Sequence, residues 1–262
     1  MKHDIHTDRN ISRTPSAGFN GISGAILKWI ALVTMLIDHF AVAVYKPALH
    51  NDFTVHTSYK LYYDIMRDTG RIAFPIFILL LIEGYKHTKS TGKYLLRLAI
   101  FAIISEIPFD LAVYGKVFHP EKQNVFFTLI IGFLVIFTMD HVNKELRSRL
   151  DMTSALPFAE IFLYVFLTAA GCAAAYFLKV DYSYVGVLAI CIPWMMREKP
   201  KSGMLMCCLA LLLSSRREIF AFIALLPILL YNGKRGHQIK YFFYIFYPAH
   251  LIILWLIYKF IT

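Results

Sequence analysis

An acid and an imidazole stand side by side, Asp38 and His39, inside the apolar stretch MLIDHFAV. Neutral imidazole is the side chain best suited to take a proton near neutral pH, which makes His39 a candidate general base. A helix turns 100° per residue, so Asp38 projects away from His39 and must find its partner on another element. Lys28 lies eleven residues before His39, which leaves only ~20° between them after three turns and separates them by about 16 Å of rise. One helix face thus carries a cation and a base at different depths. In SEIPFD, Glu106 and Asp110 are four apart on one face around Pro108, whose missing N–H frees a carbonyl. Asp38, Glu106 and Asp110 are candidates for acid–base work, or for holding helices together through Arg71, Arg216 or Arg217. Tyr247 and His250, in FYPAH, repeat the motif of two polar groups about one turn apart with a proline between, and suit either chemistry or packing. Arg71, Arg216, Arg217, Tyr247 and His250 are the cationic and polar groups within or beside apolar runs that a bound molecule could meet. Asn232 and Gly233 in LYNGKRG predict a tight turn whose basic pair, Lys234 and Arg235, suits phosphate.

The elements that must position these groups are apolar helices. With 58% hydrophobic and 17% charged side chains over 262 residues, the chain is not composed like a soluble domain. Apolar runs recur at 24–46, 71–85, 94–114, 125–139, 156–178, 182–196, 203–213, 217–231 and 241–260. They predict an all-α, polytopic membrane bundle of about nine crossings, within eight to ten, because ~20 apolar residues span a bilayer. An acid at membrane depth costs about 2.5–3.5 kcal/mol on insertion scales, so three of them require partners or a task. Residues 1–20 are polar and rich in turn formers and read as a flexible tail, with 21–262 a single domain. No cleaved signal peptide is expected, since the first apolar run is too long and too late. Cys172, Cys191, Cys207 and Cys208 have no metal-ligand spacing and read as packing residues, and no metal is expected.

The net charge of +10 is dispersed among the connections instead of forming one patch, which argues against nucleic acid as a partner. If the amino terminus is inside, 17 of the 27 Lys and Arg lie on the inner side. That split predicts a cytoplasmic amino terminus and a cytoplasmic HTKSTGK connection.

Five stretches in order, LKWIALVTMLIDH, GRIAFPIFILLLIEGYKHT, YLLRLAIFAIISEIPFDL, LYNGKRG and YFFYIFYPAHL, resemble the TraX family of bacterial membrane proteins. The best-known activity in that family is the acetylation of conjugative pilin. The family is similar in turn to the acyltransferase type 3 membrane enzymes, whose first helix carries a basic residue, ten positions and a histidine; Lys28 and His39 fit, with lysine where arginine is common. The resemblance implies a multi-pass protein of the bacterial inner membrane. It also implies a cytoplasmic acetyl-CoA donor near Lys28, Lys234 and Arg235, a protein or glycan acceptor in the envelope, and oxyanion or acceptor-site donors among Arg71, Arg216, Arg217, Tyr247 and His250. Two other classes compete with an enzyme: a transporter or flippase, which would also bury acids, and a noncatalytic assembly partner of a surface apparatus.

Overall fold

The computed structural model describes residues 21–49, 57–150, 156–237 and 242–261; the expected tail over 1–20 lies outside them. Among the described residues the chain is a bundle of helices with two isolated β-bridges. Helix α1, Gly24–Phe40, starts where the Ser23 hydroxyl accepts the Ile26 N–H at 3.4 Å. It runs on through a π turn, Ala41–Tyr45, into a last turn, Lys46–Ala48. The wide turn directly precedes Pro47, which has no N–H to give and crowds a regular preceding turn. There follow α2 (Thr57–Gly70), α3 (Ala73–His87), α4 (Thr91–Tyr114), α5 (Val125–Leu150), α6 (Leu156–Phe177), α7 (Ser183–Met195) and α8 (Pro200–Leu211). A 3-10 segment, Arg216–Ala224, leads into α9 (Leu225–Leu229), and α10 (Phe242–Ile261) ends the described chain.

Eight of the nine expected apolar runs lie mainly on a helix each, the ninth, 217–231, is carried by the 3-10 segment and α9, and the all-α membrane bundle is the observed architecture. The number of crossings differs from expectation. Among the described residues four helices have the length and apolarity to span: Gly24–Ala48, Val125–Ser148, Phe158–Phe177 and Phe242–Ile261. Helices α3, α7 and α8 are 15, 13 and 12 residues, short of the ~20 a bilayer needs. Helix α4 is 24 residues, but Lys93, Arg97, Glu106 and Asp110 dilute its apolarity. A tenth element, α2, has no counterpart among the apolar runs: it is polar, and Leu61, Tyr62 and Ile65 lie exposed on it.

Lipid is as apolar as leucine, so packing and polar contacts hold such helices together more than transfer from water does. Leu27, Leu32, Ile76, Ile78, Phe133 and Leu251 form part of one buried cluster. At Gly132 the absent side chain admits Ile190 of α7, which would collide with any Cβ there. The residues left exposed on α6, among them Phe158, Phe162 and Phe166, give it an apolar outer face. Because successive helices reverse direction, one end of the bundle gathers Lys28, Arg97 and Arg235, and the other His39, Arg71, Asp181 and Glu218.

Candidate functional site

At the second end a cavity of about 300 Å³ opens, and His39 is in its lining. His39 Nδ1 lies 2.6 Å from Nε2 of His250 on α10, and His250 Nδ1 lies 2.7 Å from the Phe246 carbonyl oxygen. The rings are within 14° of parallel with centroids 5.0 Å apart, about the N···N distance plus two ring radii. The contact is therefore an edge-to-edge hydrogen bond and not a face-to-face stack. A carbonyl only accepts, so His250 Nδ1 donates to Phe246; with both rings neutral, His250 Nε2 accepts from His39 Nδ1, and His39 Nε2 keeps its lone pair. Tyr247, also in the cavity lining, sets its ring edge-on to His39 at 5.9 Å. Both Tyr247 and His250 are buried, at 4% exposure each.

Asp38 does find its partners elsewhere. Arg67 Nη1 donates to Oδ2 at 2.6 Å and Arg71 Nη2 to Oδ1 at 2.9 Å. Arg71 also reaches Glu218 Oε1 at 2.9 Å, the Tyr182 hydroxyl at 3.4 Å and the Arg67 carbonyl at 3.1 Å. These bonds engage four of its five N–H groups, so Arg71 works as the hub that joins α1, α2 and the 3-10 segment. Gly70 is required beside it: a Cβ there would overlap the Asp38 carboxylate. Arg217 fastens the same 3-10 segment to α2 through Asp64 at 2.8 Å and Asp68 at 2.9 Å. Arg216 is exposed and does not line the cavity.

Glu106 and Asp110, by contrast, do not join Asp38 and its arginines around one cavity. Glu106 accepts from the side-chain and backbone N–H groups of Asn124, and Asp110 from the His119 N–H at 2.7 Å. Neither lines the His39 cavity; both tie the connection after α4 back onto it, because their face of the helix turns toward that connection.

At the opposite end a larger cavity of about 630 Å³ is lined by Lys28, Lys89, Arg97 and Arg235 together with Tyr94, Tyr231, Phe243 and Tyr244. Lys28 Nζ sits 4.9 Å over the Phe243 ring. The predicted turn is present: Asn232 Oδ1 accepts the Lys234 N–H at 2.9 Å. The carbonyls of Lys234 and Arg235 accept from Gly24 and Ala25 at 2.8 and 3.0 Å, so this turn caps the start of α1. Lys234 itself is exposed and outside the cavity lining.

Sequence reasoning did not find Arg67, Lys122, Asp181, Tyr182 or Glu218, all in the lining of the His39 cavity. Arg67 rides on the polar helix, and Lys122 and Asp181, paired at 2.8 Å, come from connections. Lys179, Tyr182 and Ser183 all have positive φ without being glycine, a local strain of the kind concentrated at working sites.

A family model described as TraX protein matches residues 23–258 of this chain. The chain is similar to a protein of Dichelobacter nodosus described as the probable fimbrial assembly protein FimC of serogroup H1. The two are 29% identical over 251 residues, which cover 87% of this chain and 92% of that protein. No solved structure matches it.

Proposed function

The chain belongs to the TraX family, and from that premise we propose that it is a membrane-embedded acyltransferase taking acetyl from acetyl-CoA to an amine or hydroxyl acceptor of the envelope. The observation that carries this reading is the ordered pair of imidazoles, which leaves His39 Nε2 as a bare proton acceptor in a cavity. The acceptor's nitrogen or oxygen attacks the thioester carbon as its proton passes to His39 Nε2. The imidazolium so formed is stabilised through Nδ1–H by His250. Collapse breaks the C–S bond, and the departing CoA sulfur takes the proton back from His39, so that ester or amide and free thiol are the only products.

Donor phosphates suit the end with Lys28, Arg97 and Arg235. The 17 to 10 division of basic residues favours that end as the cytoplasmic one, in a bacterial inner membrane. About 16 Å of rise separates Lys28 from His39. The pantetheine arm, equivalent to roughly four or five extended residues, spans about 14–18 Å. Acceptor binding falls to the His39 cavity, where Lys122 and Arg67 offer donors. A pilus or fimbrial subunit is the acceptor that the family and the description of the relative favour.

The second reading, an assembly factor without catalysis, draws on that same description. One experiment separates the two. Protein purified in detergent is incubated with acetyl-labelled acetyl-CoA and membrane extract, and the labelled product is identified. The enzyme reading expects label transfer that His39→Ala removes; transfer by His39→Ala at the wild-type rate, or none by wild type while surface assembly persists in cells carrying His39→Ala, leaves the assembly reading standing.

A further inference from the structure

The two cavities lie at opposite ends of the bundle, and Phe77 of α3 belongs to the lining of both. Its neighbours divide accordingly. Ala73 and Phe74 face the His39 cavity, and Leu80 and Leu81 the Lys28 cavity. Ile76, Ile78 and Leu79 beside it are buried while Phe77 is only half-buried, as expected of a ring with space on two sides. A second aromatic contact joins the two linings: Phe126, in the Lys28 cavity, sets its ring edge-on at 5.1 Å to Tyr247, in the His39 cavity. The charged groups divide between the two cavities, with Lys28 and Arg97 in the lining of one and Asp38 and His39 in that of the other.

We propose that Phe77 is the movable partition of one continuous path, which the acyl-bearing arm of a donor crosses to reach His39 and which the ring closes when no arm is present. This rests on the acyltransferase reading for what crosses, but not for the path itself. The arm needs a passage through the layer between its phosphates and the base, and an open aqueous passage would leak protons and ions across the bilayer. An apolar ring solves both requirements: a hydrophobic constriction excludes water when empty, and a phenylalanine with free space beside it changes rotamer in nanoseconds or less.

The test uses the full chain in oriented membranes, with Cys172, Cys191, Cys207 and Cys208 replaced by alanine and a reporter thiol introduced by Leu80→Cys. A small cationic methanethiosulfonate and Ag⁺ are applied from each side separately. With Phe77 present, labelling is expected from the Lys28 side only; adding Phe77→Ala should gain labelling from the second side, and Phe77→Trp should not. In a separate variant, Phe77→Cys removes the ring and reports at once, and should react from both sides even where Phe77→Ala proves too unstable to purify. Reaction of Leu80→Cys from both sides with Phe77 intact overturns the partition, as does one-sided reaction of Phe77→Cys. Two-sided labelling that appears only when Phe77 is replaced, without any acyl transfer by the wild type, keeps the partition and removes the enzyme.

Discussion

The hydrogen bond between the two histidines allows a magnitude to be assigned before any measurement. In the resting protein it joins two neutral rings, and such a bond contributes about 0.5–1.5 kcal/mol. Once His39 has taken the acceptor's proton the same bond has an ionised donor, and its contribution rises to ~1.5–3 kcal/mol. Only the difference, roughly 1–2 kcal/mol, lowers the barrier, because the resting-state part is present before and after. His250→Leu should therefore slow the chemical step by about 5–30-fold. His39→Ala removes the base itself and should cost ~10²–10⁴-fold. The leucine variant should also lose some thermal stability, about 1–3 kcal/mol, since the buried His39 N–H has no acceptor left. His250→Gln, whose amide oxygen accepts from the same N–H, should recover part of both losses. The assay is single-turnover transfer from labelled acetyl-CoA at saturating donor, with donor affinity measured in parallel. A His250→Leu protein with the wild-type single-turnover rate, or with a loss confined to donor affinity, would refute the proton-holding role of His250.

Asp38→Asn uncouples two guanidinium groups from their shared carboxylate, and breaking a buried pair of this kind costs ~3–5 kcal/mol; thermal unfolding should drop far more than for His39→Ala, and equal melting of the two variants would contradict the network. Lys28→Ala should weaken acetyl-CoA binding in a filtration or calorimetric assay while the melting temperature stays near that of wild type; unchanged affinity with poor expression would make Lys28 a membrane anchor. A cysteine introduced by Ser90→Cys should resist an impermeant reagent in intact cells, and its ready labelling would invert the proposed orientation. Residual transfer by His39→Ala that rises as pH passes ~8 identifies an amine acceptor, because an α-amine then sheds its own proton whereas a sugar hydroxyl does not; a flat profile points to the hydroxyl.

Periodicity and apolar run length were enough to locate the helices that carry Lys28, His39, Tyr247 and His250, since each sits in a run whose composition admits no other structure in lipid. The separation of Asp38 from His39 followed from helix geometry alone. What composition could not reveal was α2, because a polar helix against a polar site buries too little apolar surface to print a pattern, and with it Arg67 stayed hidden. Glu106 and Asp110 misled for the converse reason. Two acids on one face signal a polar neighbour, but not whether that neighbour is a cavity or the backbone N–H groups of the next connection, here those of Asn124 and His119. The strained backbone around Tyr182 leaves no trace in residue types, as none of Lys179, Tyr182 and Ser183 is a glycine.

The imidazole pair joins residues 211 positions apart, whereas Asp38 meets Arg67 and Arg71 after only 29 and 33. A ribosome adding ~5–20 residues per second reaches Arg71 within seconds of making Asp38, but needs on the order of ten to forty seconds more to supply His250. The acid on α1 thus meets its arginines soon after it is synthesised, while the imidazole beside it waits for α10. The same delay governs the start of α1, whose Gly24 and Ala25 amides await the carbonyls of Lys234 and Arg235. A nascent chain, or one cut before α10, would carry its charges through insertion already paired and yet lack the imidazole pair, so the proton acceptor proposed at His39 is ordered only once α10 has been made.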